Sequence, residues 1–224
     1  SKRIISWILN VDIILNNGSF DFRRSFFTSI ISQANHLKKN IKFEKNYTKR
    51  IEVLTALMLT GLVFKEYSEN YNIAVKELEK LVKKIFDQDG FPLTRNPSDL
   101  IFFSKYLIFC KECIIEAQEY IPEFLDSIII QNLTCLKNIL TPNNQVPLFN
   151  GGSEENLQKF NEFVKNLNFK TKNKKDIIGG IQKFKFKDID VYIDVGEPPE
   201  KKFSQSYQSG PLSFEYYLDG EKII

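Results

Sequence analysis

Apolar positions recur every three or four residues along most of this chain, and every second residue only near its end. Phe22, Phe26, Ile30, Ala34, Leu37 and Ile41 form one such stripe, which predicts a helix with a single face turned to a core. Before it, "KRIISWILNVDIIL" predicts a helix over 2–15 that stops at Asn16-Asn17-Gly18, because these residues favour turns over helix continuation. "RIEVLTALMLTGLVF" (50–64) is apolar almost all round and predicts a central helix. "NIAVKELEKLVKKIF" (72–86) is amphipathic and stops at Asp89-Gly90, and "SDLIFFSKYLIFCKECIIEAQ" (98–118) follows an Asn96-Pro97 start. "PEFLDSIIIQNLTCLKNIL" (122–140) stops before Pro142, and one more helix is expected from Glu154 to Asn166, capped by Ser153. The connections are short, so successive helices should pair as hairpins.

After the polar "KTKNKKD" the period changes. "KFKFKDIDVYIDVG" (183–196) alternates, which reads as strand. In a second strand Leu212, Phe214, Tyr216 and Leu218 share one face and Ser213, Glu215 and Tyr217 the other. Asp219-Gly220 is a hairpin turn. The expected organisation is a helical domain over 1–168, a linker over 169–176 and the start of a β domain over 177–224. The chain begins inside a helical pattern and ends where a strand should continue, so it reads as a piece of a longer protein.

Composition narrows the function classes. Lysine and arginine number 31 against 28 acidic residues, a net charge of +3, and no basic tract stands out, so nucleic-acid binding is not expected. Twenty Phe with one Trp and one Met indicate a core of Phe, Ile and Leu. Cys110 and Cys113 lie three apart in a helical stretch and Cys135 in another, with one histidine in the chain. That set lacks a fourth zinc ligand, so buried or half-buried thiols are expected, and no metal or other cofactor. No signal peptide is visible, and no apolar run reaches the roughly 20 residues of a membrane span.

Five segments occur in a telling order: "ANHLKKN", "DQDGFPLTRNPSDL", "QVPLFNGGSE", "YIDVGEPP" and "SYQSGPLSFEYYLDGEKII". Their order and spacing resemble those of heparinase II/III-like proteins, in a bacterial subgroup with D-G-G-H-x-x-R-N-P, L-x-x-F-N-G and A-H-A-G-x-L-S-F-E segments. The resemblance covers most of the chain. It implies an α+β multidomain fold: an incomplete (α/α) toroid of helical hairpins followed by the start of an antiparallel β-sandwich. It also implies polysaccharide lyase chemistry on glycosaminoglycan-like, uronate-containing glycans, with an acidic polysaccharide as partner and the periplasm or cell envelope as location.

Such a lyase removes the proton beside a uronate carboxylate and expels the glycosidic oxygen from the neighbouring carbon. The charge that builds on the carboxylate needs fixed donors, and the two proton transfers need a base and an acid. Carried over by position, Asn35 and His36 match the family's Asn-His pair and are the candidate catalytic residues. The family tyrosine falls on Asp99 and its following histidine on Leu100, while the β-domain histidine falls on Gln208. Asn35 would donate to the carboxylate, and His36 would act as base or orienting group. Arg95, Asn96, Tyr207 and Gln208 are the candidate substrate-binding residues.

Local chemistry supplies other readings for the same positions. On the helical wheel Gln33, His36 and Asn40 share the flank of the apolar stripe, either a groove wall or a solvated shoulder. Asn96 can cap the helix, with Pro97 in its first turn and Asp99 completing a capping box. Arg95 at a helix start suits carboxylate or sulfate recognition, or a structural ion pair. Asn150-Gly151-Gly152 reads as a turn whose amides could also meet an anion. Three functions follow: a carbon–oxygen lyase acting on polysaccharides, a catalytically degenerate glycan-binding or envelope-polysaccharide protein on the same fold, and a helical protein-binding scaffold.

Overall fold

A computed structural model of the chain describes residues 1–167, 169–171, 175–205, 207, 208, 210 and 212–224. Among these residues the helices are α1 (Lys2–Leu9), α2 (Val11–Leu15), α3 (Phe20–Asn40), α4 (Tyr47–Val63), α5 (Glu69–Ile85), α6 (Pro97–Glu116), α7 (Glu123–Ile139) and α8 (Gln158–Asn166). The strands are β1 (Ile177–Ile178), β2 (Ile181–Phe186), β3 (Ile189–Asp194), β4 (Phe214–Leu218) and β5 (Glu221–Lys222). The class is α+β, as expected. The chain divides into two compact units, Ser1–Lys84 with Tyr106–Leu125, and Ile85–Lys105 with Asp126–Ile224.

In the first unit α4 is buried at Ile51 and at every position from Val53 to Gly61, which is the helix read as central from its all-round apolarity. Asn46 caps it by accepting from the Lys49 amide at 2.9 Å. Gly61 lets α5 come close, since a Cβ there would stand 2.7 Å from the Tyr71 Cβ. The helix expected over 2–15 is broken in two at Asn10, whose φ and ψ are −115° and 23°. Both the Asn10 amide (3.1 Å) and its side-chain Nδ2 (2.8 Å) donate to the Ser6 carbonyl. This local side-chain bond competes with the helix ladder.

The second unit joins the start of α6, most of α7 and α8 to the sheet. The five strands form an antiparallel meander in the order β1-β2-β3-β4-β5. The stretch 183–196 is therefore two strands, not one. Phe186 pairs with Ile189 across Lys187-Asp188, and Lys187 takes the left-handed φ of 50° that a two-residue hairpin needs. Asp219 and Gly220 turn as expected, with φ of 50° and 84°. Helix α8 starts at Gln158 rather than Glu154. Ser153 does not cap it: the Ser153 amide donates to Ser98 Oγ at 2.9 Å, and Asn156 Oδ1 accepts from the Gln158 amide instead.

The two faces of β3 and β4 sort as the alternation requires, but the buried face is the polar one. Asp190, Tyr192, Asp194, Glu215 and Tyr217 are buried, while Phe214 and Leu218 are exposed and Val191, Ile193 and Tyr216 half-buried. The Tyr192 and Tyr217 rings meet edge to face at 5.7 Å within a core that includes Phe91, Leu100, Leu136, Ile139, Phe149 and Leu157. Tyr192, Tyr217 and Glu215 are matched, whereas Asp190 Oδ1 has no hydrogen-bond partner among the described residues and faces Lys183 Nζ at 3.5 Å. Tyr192 donates to the Leu140 carbonyl at 2.8 Å, and Glu215 accepts from the Leu148 amide, Lys222 and Tyr217, all at 2.8 Å. Burial pushes both tyrosine hydroxyls above their ordinary range, with neighbouring carboxylates adding to it.

Candidate functional site

Asn35 and His36 lie in the first unit on α3, on either side of the wheel from the buried positions Phe26, Ile30 and Ala34. Both side chains are exposed. The Asn40 Nδ2 donates to the His36 carbonyl at 2.8 Å and stands 3.5 Å from its Nε2. Gln33, one turn earlier on the same flank, accepts from Arg3 Nε at 2.8 Å, and the Arg3 guanidinium lies 5.4 Å from the Trp7 ring centroid. The flank thus offers an imidazole, amides, a guanidinium and an aromatic edge to solvent.

Arg95 and Asn96 belong to the second unit, in the segment that starts α6. Asn96 Oδ1 accepts from the Ser98 amide at 2.8 Å, so the expected cap is formed. The box is not completed by Asp99, whose carboxylate instead accepts from the Thr94 hydroxyl at 2.7 Å. Burial raises the Asp99 carboxyl, and the Thr94 bond offsets only part of that. Leu100 is fully buried.

Arg95 is itself buried and sits in the left-handed region at φ 57°. Its Nε donates to the Gly179 carbonyl at 3.2 Å, Nη1 to the Glu197 carbonyl at 2.7 Å, and Nη2 pairs with Asp194. Asn150, also left-handed at φ 56°, holds the Arg95 carbonyl from the side at 3.1 Å. Of the two readings of Arg95, the structural ion pair is the one present. The Asn150 segment is a turn, closed by the Gly152 amide on the Phe149 carbonyl at 2.9 Å.

Tyr207 and Gln208 are also in the second unit. Tyr207 is half-buried and its amide donates to the Ser204 carbonyl at 3.2 Å; Gln208 is exposed. Neighbouring this segment is a cavity of about 450 Å³ lined by Arg95, Asp87, Asp89, Glu197, Glu200 and Phe203 among others. The part missed in the sequence is Asp194 with Gly179, Gly180 and Gly196. The signal was present in "IIGG" and "IDVG", a glycine pair before one strand and a glycine two residues after the acid that ends another.

No family model matches the chain, and no match was found among curated proteins. Solved structures do match. Heparan sulfate lyase HepC from Pedobacter heparinus superposes with a TM-score of 0.77 at 16% identity, over 98% of this chain and 39% of that one. A heparinase III structure gives 0.76 at 14% identity, over 98% and 41%. This chain has the heparinase III fold. The likeness is one of fold, and the chain spans about two fifths of the length of the structures it matches. Within the heparinase III fold it supplies helical hairpins of the (α/α) toroid and the first strands of the β-sandwich.

Among the described residues no group of three or more His, Cys, Asp or Glu side chains is placed to hold a metal ion. Cys110 and Cys135 are buried and Cys113 half-buried, all free. Burial pushes their thiols up to about 12, 12 and 11 respectively, so none is an activated nucleophile. No described helix is long and apolar enough to cross a membrane.

Proposed function

We propose that this protein acts on uronate-containing acidic polysaccharides by β-elimination. The observation that carries the reading is the heparinase III fold over 98% of the chain, together with an Asn-His pair that α3 presents to solvent. In this reading Asn35 donates a hydrogen bond to the uronate carboxylate, where negative charge grows as the neighbouring C–H bond breaks. His36 takes that proton or orients the group that does. The electron pair forms the new carbon–carbon double bond, the glycosidic C–O bond breaks, and the departing oxygen takes up a proton. Tyr207 and Gln208 contact the glycan, and Asn96 keeps the start of α6 in place beneath Arg95.

A second reading has its own support. Asp99 is committed to Thr94, Leu100 is sealed in the core, and Gln208 cannot exchange a proton at neutral pH. A glycan-binding protein that no longer cleaves would look the same at these positions. The two are separated by incubating the protein with heparan sulfate and with hyaluronan. Elimination gives the ultraviolet absorbance of an unsaturated uronate, lost in His36→Ala, whereas the second reading gives binding without that product. Unchanged product formation by His36→Ala removes His36 from the mechanism.

A further inference from the structure

We propose that Arg95 is a positioning residue: its guanidinium clamps the turn after β3 and thereby fixes the segment that carries Tyr207 and Gln208. The consequence for glycan binding rests on the function proposed above; the clamp itself does not.

The geometry of the second unit carries the inference. Three N–H groups of Arg95 are aimed at three different pieces of chain, the Gly179 carbonyl before β2, the Asp194 carboxylate at the end of β3 and the Glu197 carbonyl beyond it. With its side chain only 10% exposed, it has little left to offer a ligand. The guanidinium lies against two glycines, Gly180 and Gly196. A Cβ on Gly180 would stand 2.5 Å from Nη2, and one on Gly196 closer still. Only a planar, forked cation fits such a slot while reaching acceptors on three sides; an ammonium is compact and tetrahedral.

The turn so held is bonded at two further points. Asp194 also accepts from the Gly196 amide at 3.2 Å, and the Val195 amide donates to the Gly180 carbonyl at 2.9 Å. Pro198 and Pro199 follow, with φ set by their rings. The chain then makes the helical turn Lys201–Phe203, where Phe203 is buried, and the Tyr207 amide closes on the Ser204 carbonyl. Arg95 anchors one end of this run and Phe203 the middle, so the direction in which Tyr207 and Gln208 leave the fold depends on the clamp.

The test compares wild type, Arg95→Lys and Gly196→Ala in the full chain by amide hydrogen exchange and by titration with heparan sulfate and hyaluronan. Arg95→Lys keeps the charge facing Asp194 but cannot serve all three acceptors. Gly196→Ala disturbs the slot from the opposite side and decides the matter if Arg95→Lys does not fold. We expect the Val195, Gly196 and Tyr207 amides to exchange about tenfold faster or more in both variants, with Tyr217 unchanged, because opening is local. Glycan affinity should fall in parallel. Wild-type exchange at these amides in a folded variant overturns the clamp. Faster exchange with undiminished affinity overturns positioning, and lost affinity with wild-type exchange makes Arg95 a direct contact. If wild type binds neither glycan, the functional reading fails, and the exchange arm still decides the clamp.

Discussion

Gly179→Ala should destabilise the second unit severely, and the cost can be worked from two terms. Gly179 has φ 56°, where an alanine pays about 1–2 kcal/mol for its Cβ. That Cβ would also stand 2.5 Å from Phe91 Cε1 and closer to Cγ and Cδ1. Phe91 is fully buried in the core shared with Tyr192 and Leu136, so its ring cannot turn aside. Overpacking of this kind costs about 1–3 kcal/mol. The sum is roughly 2–5 kcal/mol, a large part of the stability of a typical domain. Any shift of the Gly179 backbone also pulls its carbonyl from Arg95 Nε. The assay is urea unfolding followed by tyrosine circular dichroism and exchange of the sheet amides, with the emission of Trp7, which lies in the first unit, as control. The expected result is a lowered midpoint for the sheet at unchanged slope. Adding Phe91→Leu should recover part of the steric cost but not the backbone strain. A loss under about 0.5 kcal/mol for Gly179→Ala, or strict additivity with Phe91→Leu, would refute the contact.

Two further outcomes follow from buried ionisable groups. The folded chain raises the Asp99 carboxyl above its ordinary value of 3.8 through burial, so it binds its proton more tightly than the unfolded chain does. This group therefore costs stability as pH rises from 3.8 through the raised folded value, and nothing in stronger acid. Asp99→Asn should accordingly be at least as stable as wild type at neutral pH and indistinguishable from it in acid, as read from unfolding midpoints across pH; a variant weaker at neutral pH contradicts the assignment. Iodoacetamide at neutral pH should leave Cys110 and Cys135 unmodified in the folded protein and label both in urea, with Cys113 reacting first, as followed by mass spectrometry. Labelling of Cys110 or Cys135 in the folded protein at a free-thiol rate contradicts their burial.

Helices were legible wherever a stripe of apolar side chains needed only its own neighbours, as in α3 and α4. The break at Asn10 and the late start of α8 were not, because each depends on one side chain choosing a particular partner. Alternation sorted β4 into two faces but did not say which is buried. The answer lies in distant partners: the Leu148 amide for Glu215 and the Leu140 carbonyl for Tyr192. In the candidate site, hydrophobic pattern alone makes His36 a residue on the shoulder of a helix, and only the order of the later motifs singled it out with Asn35. Arg95 was legible as a special arginine at a helix start. Its partner was not, since Asp194 is 99 residues away and ordinary strand alternation accounts for its presence.

That separation has a kinetic consequence. The sheet hydrogen-bonds locally, strand to next strand, but its buried face is completed by Phe91, Leu100 and Leu136, contributed long before the first strand is made. Hairpins of the meander can form in microseconds, yet the polar side chains they turn inward have no apolar cover until those earlier residues arrive. Closing so large a loop costs entropy before any contact repays it. The slow step in forming the second unit should therefore be docking of preformed strands onto the helical segment, and Arg95 can enter its slot only once that docking has occurred.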